Sequence, residues 1–246
     1  MTLPFHHRMK AAFIALALLV TTALAACDVP PEFSVPVSAP TAIQPDPRLL
    51  GDWYGETGEV ESLLRVGPSG DDGRLDVLWL FYGSDVPSSY PMIAHASVVD
   101  GVTYYNLRRA AGKGTDYTAV GETSGFIIVA PVLIQDNLLL VCVLHGESWS
   151  KGYAARMFDA AGLTYRKLTA PQAGVEPGEY TYLKVEIDEA SLRALLRDEE
   201  QIKPFRSAVM FTRYGARGDE LAALVTQIGE HIETHGCPVR GWPASG

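Results

Sequence analysis

The chain has 246 residues, with 20 Lys and Arg against 29 Asp and Glu, a formal charge of −9 and a mean hydropathy of +0.06. An acidic surface repels phosphate backbones, which argues against nucleic acid as a partner.

At the N-terminus His6, His7, Arg8 and Lys10 precede the apolar run "AAFIALALLV" over residues 11–20. That run falls short of the roughly 20 apolar residues of a membrane span, and behind a basic end it predicts an export signal over residues 1–26. Leu24-Ala25-Ala26-Cys27 follows in order. This closely resembles the lipobox of bacterial lipoproteins. The resemblance implies a diacylglyceryl group on the Cys27 sulfur, cleavage that leaves Cys27 as the new N-terminus, and at least two acyl chains in the bilayer. Each buried methylene contributes about 0.8 kcal/mol, so one chain anchors marginally and two anchor stably. Losing residues 1–26 removes Arg8 and Lys10 but no acid, taking the charge to −11. The acyl chains must then hold the membrane without a basic patch. Asp28 resembles the residue that follows the cysteine in lipoproteins retained at the inner membrane, which implies a periplasm-facing domain in the cell envelope.

Residues 28–47, "DVPPEFSVPVSAPTAIQPDP", carry prolines at 30, 31, 36, 40, 45 and 47. Proline fixes φ and removes donors, so residues 27–47 are expected to form an extended tether without a core. At about 3.1 Å per residue it would span up to about 60 Å. A single globular domain is expected over residues 48–246.

Short apolar runs divided by Gly, Asp, Asn and Pro predict a mostly β (α+β) domain. Residues 63–66 and 75–82 flank "GPSGDDG"; 92–99 and 102–107 flank Asp100-Gly101, the strongest short hairpin signal. Residues 126–134 and 138–144 flank Gln135-Asp136-Asn137, and 180–187 and 192–196 flank "DEAS". Four successive hairpins predict an antiparallel meander, curled or closed to protect its edges. The run "FIIVAPVLIQDNLLLVCVL" is broken by Pro131 and by Gln-Asp-Asn, so it predicts two buried strands rather than a membrane span. In "GDELAALVTQIGEHIETHG", Leu221, Leu224, Val225, Ile228 and Ile232 recur at helical spacing, with acids in the first turn and Gly236 as a stop. This predicts a C-terminal amphipathic helix whose apolar stripe packs on the sheet.

Gly51-Asp52-Trp53 resembles the Gly-x-Trp signature that begins the first strand of lipocalin-like (calycin) barrels. The resemblance implies that Trp53 plugs the closed end, with Thr115-Asp116-Tyr117 as the second signature and Arg213 stacked on Trp53. The expected fold is an antiparallel meander or such a barrel, with a C-terminal helix.

No motif supports catalysis. "AAGKGTDY" has Leu107 where a phosphate-binding loop needs glycine. "HGESWS" brings His145, Glu147 and Ser148 together, but Ser150 stands where a nucleophile elbow needs glycine. His231, His235 and Cys237 in "HIETHGC" have spacing for three zinc or copper ligands, although Ile232 replaces the glutamate of metalloprotease chemistry. Packing histidines near a helix C-terminus are the simpler reading. Carboxylates at 71, 72 and 76 and at 198–200 lack calcium-loop spacing. No metal or cofactor is expected. Cys142 either pairs with Cys237, closing a loop of about 95 residues worth about 4 kcal/mol, or is a small buried apolar side chain.

The expected function is non-catalytic: a membrane-anchored envelope lipoprotein whose β-domain binds a small apolar ligand or lipid. Trp53, Trp79, Phe81, Tyr104 and Tyr105 are the candidate lining residues. A scaffold that docks an envelope protein without a pocket is the alternative, and a hydrolase or metal-binding protein is a further one.

Overall fold

A computed structural model describes residues 31–40, 43–57, 60–70, 72–82, 88–110, 125–135, 137–144, 158–159, 162–171, 179–202, 206–237 and 239. It is mostly β. Strands β2 (Gly51–Thr57), β3 (Val60–Pro68), β4 (Leu75–Tyr82), β5 (Ser88–Val99), β6 (Val102–Arg109), β7 (Ile127–Gln135) and β8 (Leu138–Leu144) form an antiparallel meander. β11 (Arg206–Arg213) lies between β8 and β2 and closes an eight-stranded barrel. Three of the four expected hairpins are present: β3–β4, β5–β6 and β7–β8. At the β5–β6 turn Asp100 and Gly101 both take positive φ, 48° and 81°, as a two-residue type I′ turn requires.

The fourth expected hairpin is half right. β10 (Glu179–Glu186) is a strand, but residues 192–196 belong to helix α1 (Glu189–Arg197), followed by a short α2 (Glu199–Ile202). Asp188 supplies the reason, because its carboxylate caps α1 by accepting from Ser191 N at 2.7 Å and from Ser191 Oγ at 3.0 Å. Leu192, Leu195 and Leu196 then fall on one buried helical face. β10 pairs backwards with β9 (Thr164–Pro171).

β10 also pairs in parallel with β1 (Glu32–Phe33). This corrects the expectation of a coreless tether over residues 27–47. Phe33 and Val37 are 0% exposed, so folded structure extends upstream of Arg48 to the first described residues. Proline limits ladder hydrogen bonds but does not prevent Phe33 and Val37, between the prolines, from packing sideways.

Among the described residues three apolar clusters organise the fold. One fills the barrel around Trp53, Val77, Met92, Leu139 and Phe211. A second lies outside the barrel wall, where Tyr104, Ile128 and Leu144 meet Phe33, Val37, Leu183, Val185 and the leucines of α1. A third holds α3 (Asp219–His235), the expected C-terminal helix: Leu221, Leu224, Val225, Ile228 and Ile232 pack on Leu138 and Leu140. All seven residues of β8 are therefore buried. Across the hairpin, a register shift between Pro131 and Leu133 of β7 accommodates the proline. Among the described residues no helix is long and apolar enough to cross a membrane.

The barrel interior as a candidate ligand site

One end of the barrel is plugged. Trp53 is 0% exposed, and its indole N–H donates to Leu49 O at 2.8 Å. Leu49 closes a 3-10 turn, Pro47–Leu49, capped by Asp46, whose carboxylate accepts from Arg48 N at 2.9 Å. The Arg48 guanidinium also bonds Asp46, holding that carboxyl below its usual range, and donates to Ile134 O at 2.8 Å. Arg213 pairs with Trp53 across β11 and β2, and its guanidinium carbon lies 3.8 Å from the ring centroid. Its two terminal nitrogens donate to Leu50 O at 2.6 Å and Arg48 O at 2.7 Å. Gly51 completes the arrangement: a Cβ there would sit 2.5 Å from Arg213 Nη1, and its φ is +121°. The Gly-x-Trp pattern thus has a steric cause. The architecture is a lipocalin-like barrel with a C-terminal helix, and it departs from a plain eight-strand meander by placing β9, β10, α1 and α2 between β8 and β11.

Above the plug, strand alternation turns Val66, Leu75, Val77, Met92, Ala94 and Leu139 inward, all buried. Other inward-facing side chains of the same cluster, Leu64, Trp79, Tyr90, Ile127, Val129 and Val209, are only half-buried. These six side chains thus keep part of their apolar surface within reach of solvent. Phe211 sets the floor of this region, meeting Trp79 edge-on at 6.0 Å between centroids. Gly55 gives it room, since a Cβ at that position would lie 2.9 Å from the Phe211 ring. At the far end Arg109 lies over Tyr90, 5.4 Å from its centroid. We call this end, where β7 begins and β6 ends, the mouth.

The five expected lining residues divide. Trp79 faces the half-buried interior, whereas Trp53 is sealed into the plug. Tyr105 also points inward, low in the barrel, where burial raises its phenol pKa and its oxygen accepts from Asp46 N at 3.4 Å. Tyr104 is a correction: neighbouring strand residues face opposite sides, so it points outward and donates to Leu196 O at 3.4 Å. Phe81 stands opposite Ser62 and Ser88 in the ladder, and its side chain lies outside the described residues. Sequence reading missed Leu64, Tyr90, Ile127, Val129 and Val209, which strict alternation from Trp79 and Tyr105 along the ladder would have placed inside.

On the outer wall a polar cluster holds the proline-rich segment as a strap. Asn106, 0% exposed, accepts from Val37 N at 2.7 Å through Oδ1 and donates to Ser97 Oγ at 2.8 Å. Ser97 and Ser38 hydroxyls meet at 2.7 Å. His95 Nε2 lies 3.0 Å from Ser38 O, and burial pushes its imidazole pKa below 6.5. Arg193 of α1 donates to Val37 O at 3.3 Å from the other side.

Cys142 and Cys237 are joined in a disulfide with Cα atoms 5.8 Å apart, tying the end of α3 to β8. The Cys237 sulfur is thereby taken from the His231–His235–Cys237 metal pattern. The two imidazoles stack at 4.4 Å, and His235 Nδ1 lies 3.1 Å from His231 O. Among the described residues no three ligating side chains gather for a metal. Asp72 pairs with Arg74, and Glu199 with the buried Arg206. Thr115-Asp116-Tyr117, Gly112-Lys113-Gly114 and His145–Ser150 lie outside the described residues.

No protein-family model matches the chain, and neither a curated protein nor a solved structure matches it.

Proposed function

We propose that this protein is a lipid-anchored envelope lipoprotein whose barrel holds a small apolar ligand or lipid and performs no catalysis. One observation carries the ligand reading: Leu64, Trp79, Tyr90, Ile127, Val129 and Val209 face inward yet are only half-buried. Apolar groups that face an enclosed space and remain reachable by solvent gain free energy when an apolar guest displaces that water, at about 25 cal/mol per Å² removed. The anchor reading is carried by the sequence: Leu24-Ala25-Ala26-Cys27 behind a basic, then apolar, leader. It supports lipidation of Cys27, and Asp28 directly after the cysteine supports a periplasm-facing position at the inner membrane. The disulfide between Cys142 and Cys237 fits an oxidising compartment.

Native mass spectrometry of the membrane-extracted protein tests both halves. Acyl mass on Cys27 and a co-purifying apolar molecule are expected. An unmodified Cys27 rejects the anchor, and a bare protein that also fails to take up added fatty acid rejects the carrier.

A further inference from the structure

We propose that the mouth of the barrel faces the bilayer that carries the Cys27 anchor, and that the ligand is an acyl-chain lipid exchanged with that bilayer. This rests on the anchor and carrier readings above.

The chain is fixed at the rim of the mouth. Phe33 N donates to Phe126 O at 2.9 Å and Phe126 N to Phe33 O at 2.8 Å, one residue before β7 begins. The Glu32 carboxylate accepts from Gly125 N at 3.0 Å, and Glu32 and Phe33 run beside Lys184 and Val185 of β10. There is no slack at this point, because a Cβ on Gly125 would lie 2.6 Å from Phe33 O. From the rim the chain descends the outer wall, meeting Asn106 at Val37 and reaching Leu49 beneath Trp53. Glu32 therefore lies at the mouth end of the wall and not at the plugged end.

Cys27 stands only five residues before Glu32. Fully extended, that length spans at most about 18 Å. The plug lies farther off by the length of β7, about 30 Å along a strand of nine residues. Acyl chains seated in the bilayer thus bring the mouth, and not the plug, to the lipid surface. The charges there suit it. Arg108 and Arg109 end β6 at the mouth, beside the Phe126 and Tyr90 rings at 5.8 and 5.4 Å, on a chain whose net charge is −9. Arg109, beside the inward-facing Tyr90, favours a lipid with an anionic head, the tail entering past Tyr90 towards Trp79.

The test uses the lipidated full chain in vesicles of phosphatidylethanolamine and phosphatidylglycerol. Photoreactive benzoylphenylalanine is placed at Tyr82, at the mouth end of β4, or at Tyr214, just past β11 at the plugged end; these are 44% and 70% exposed. Lipid adducts at position 82 are expected in about five-fold excess over position 214, because a short tether sets the local concentration. Inserting about 20 Gly and Ser residues after Asp28, a flexible coil with ends about 25 Å apart, is expected to erase that bias. Equal adducts at the two positions, or an excess at 214, overturn the orientation. Acyl mass on Cys27 and uptake of a soluble polyene fatty acid in detergent are read on the same preparation. Loss of either removes the reading beneath the proposal and the proposal with it, whereas both present without the bias makes the orientation alone wrong.

Discussion

Arg213 lies over Trp53 with its guanidinium carbon 3.8 Å from the ring centroid, while its nitrogens hold the carbonyls of Leu50 and Arg48. One side chain thus joins the last barrel strand, the first strand and the 3-10 turn beneath them. Arg213→Ala removes the stacking and leaves two carbonyls without their donors, a loss of about 2–4 kcal/mol. Arg213→Lys keeps the charge but cannot reach both carbonyls in one plane, and is expected to recover less than half of that loss. Gly51→Ala is expected to cost about 1–3 kcal/mol, because its Cβ meets Arg213 and φ stays at +121°. Urea denaturation measures all three as a lower midpoint with an unchanged slope.

The strap over residues 31–38 depends on buried polar groups. Asn106→Ala leaves Val37 N and Ser97 Oγ without their buried partner, for about 1–3 kcal/mol, and amide exchange at Val37 is expected to accelerate. His95 makes the strap sensitive to pH. Burial lowers its folded pKa beneath the ordinary 6.5, so above that value both folded and unfolded chains are neutral and its contribution is complete. As pH falls through 6.5 the unfolded chain takes up the proton first, and stability declines until pH has passed the folded value. A drop in the denaturation midpoint from about pH 7.5 to about pH 5.5 is expected, and it should be smaller in His95→Asn. An equal drop in both proteins would assign the effect elsewhere.

The Cys142–Cys237 bond closes a long loop between β8 and the end of α3, with a sequence separation of 95. Cys237→Ser, or reduction of the intact chain, is expected to lower stability by about 2–4 kcal/mol. Calorimetry with and without reductant checks this, and the Cys237→Ser protein should then be insensitive to reductant.

Much of the barrel was legible because its strands obey local rules. Asp100-Gly101 needs a turn with two positive φ values, Pro131 and the polar turn cut one long apolar run into a hairpin, and Gly51, Trp53 and Arg213 form a steric unit whose parts are visible in one dimension. The helix α1 was hidden because its leucines suit a strand nearly as well, and only the Asp188–Ser191 cap decides between them. Phe33 and Val37 were hidden for a different reason. Their burial depends on β10 and Asn106, residues remote in sequence, and proline content gives no sign of such partners. At the site, naming both Tyr104 and Tyr105 as lining ignored the two-residue period of a strand, which sends them to opposite cores.

Titration with a fluorescent polyene fatty acid, read by energy transfer from tryptophan, tests whether the barrel interior is a ligand site. The wild-type chain is expected to bind with saturation; Val209→Trp, which puts a larger side chain into the interior, is expected to weaken binding at least about ten-fold, about 1.4 kcal/mol. Tyr104→Phe, on the outer wall, should leave it unchanged. Binding that survives Val209→Trp, or no saturable binding by the wild type, would contradict the account.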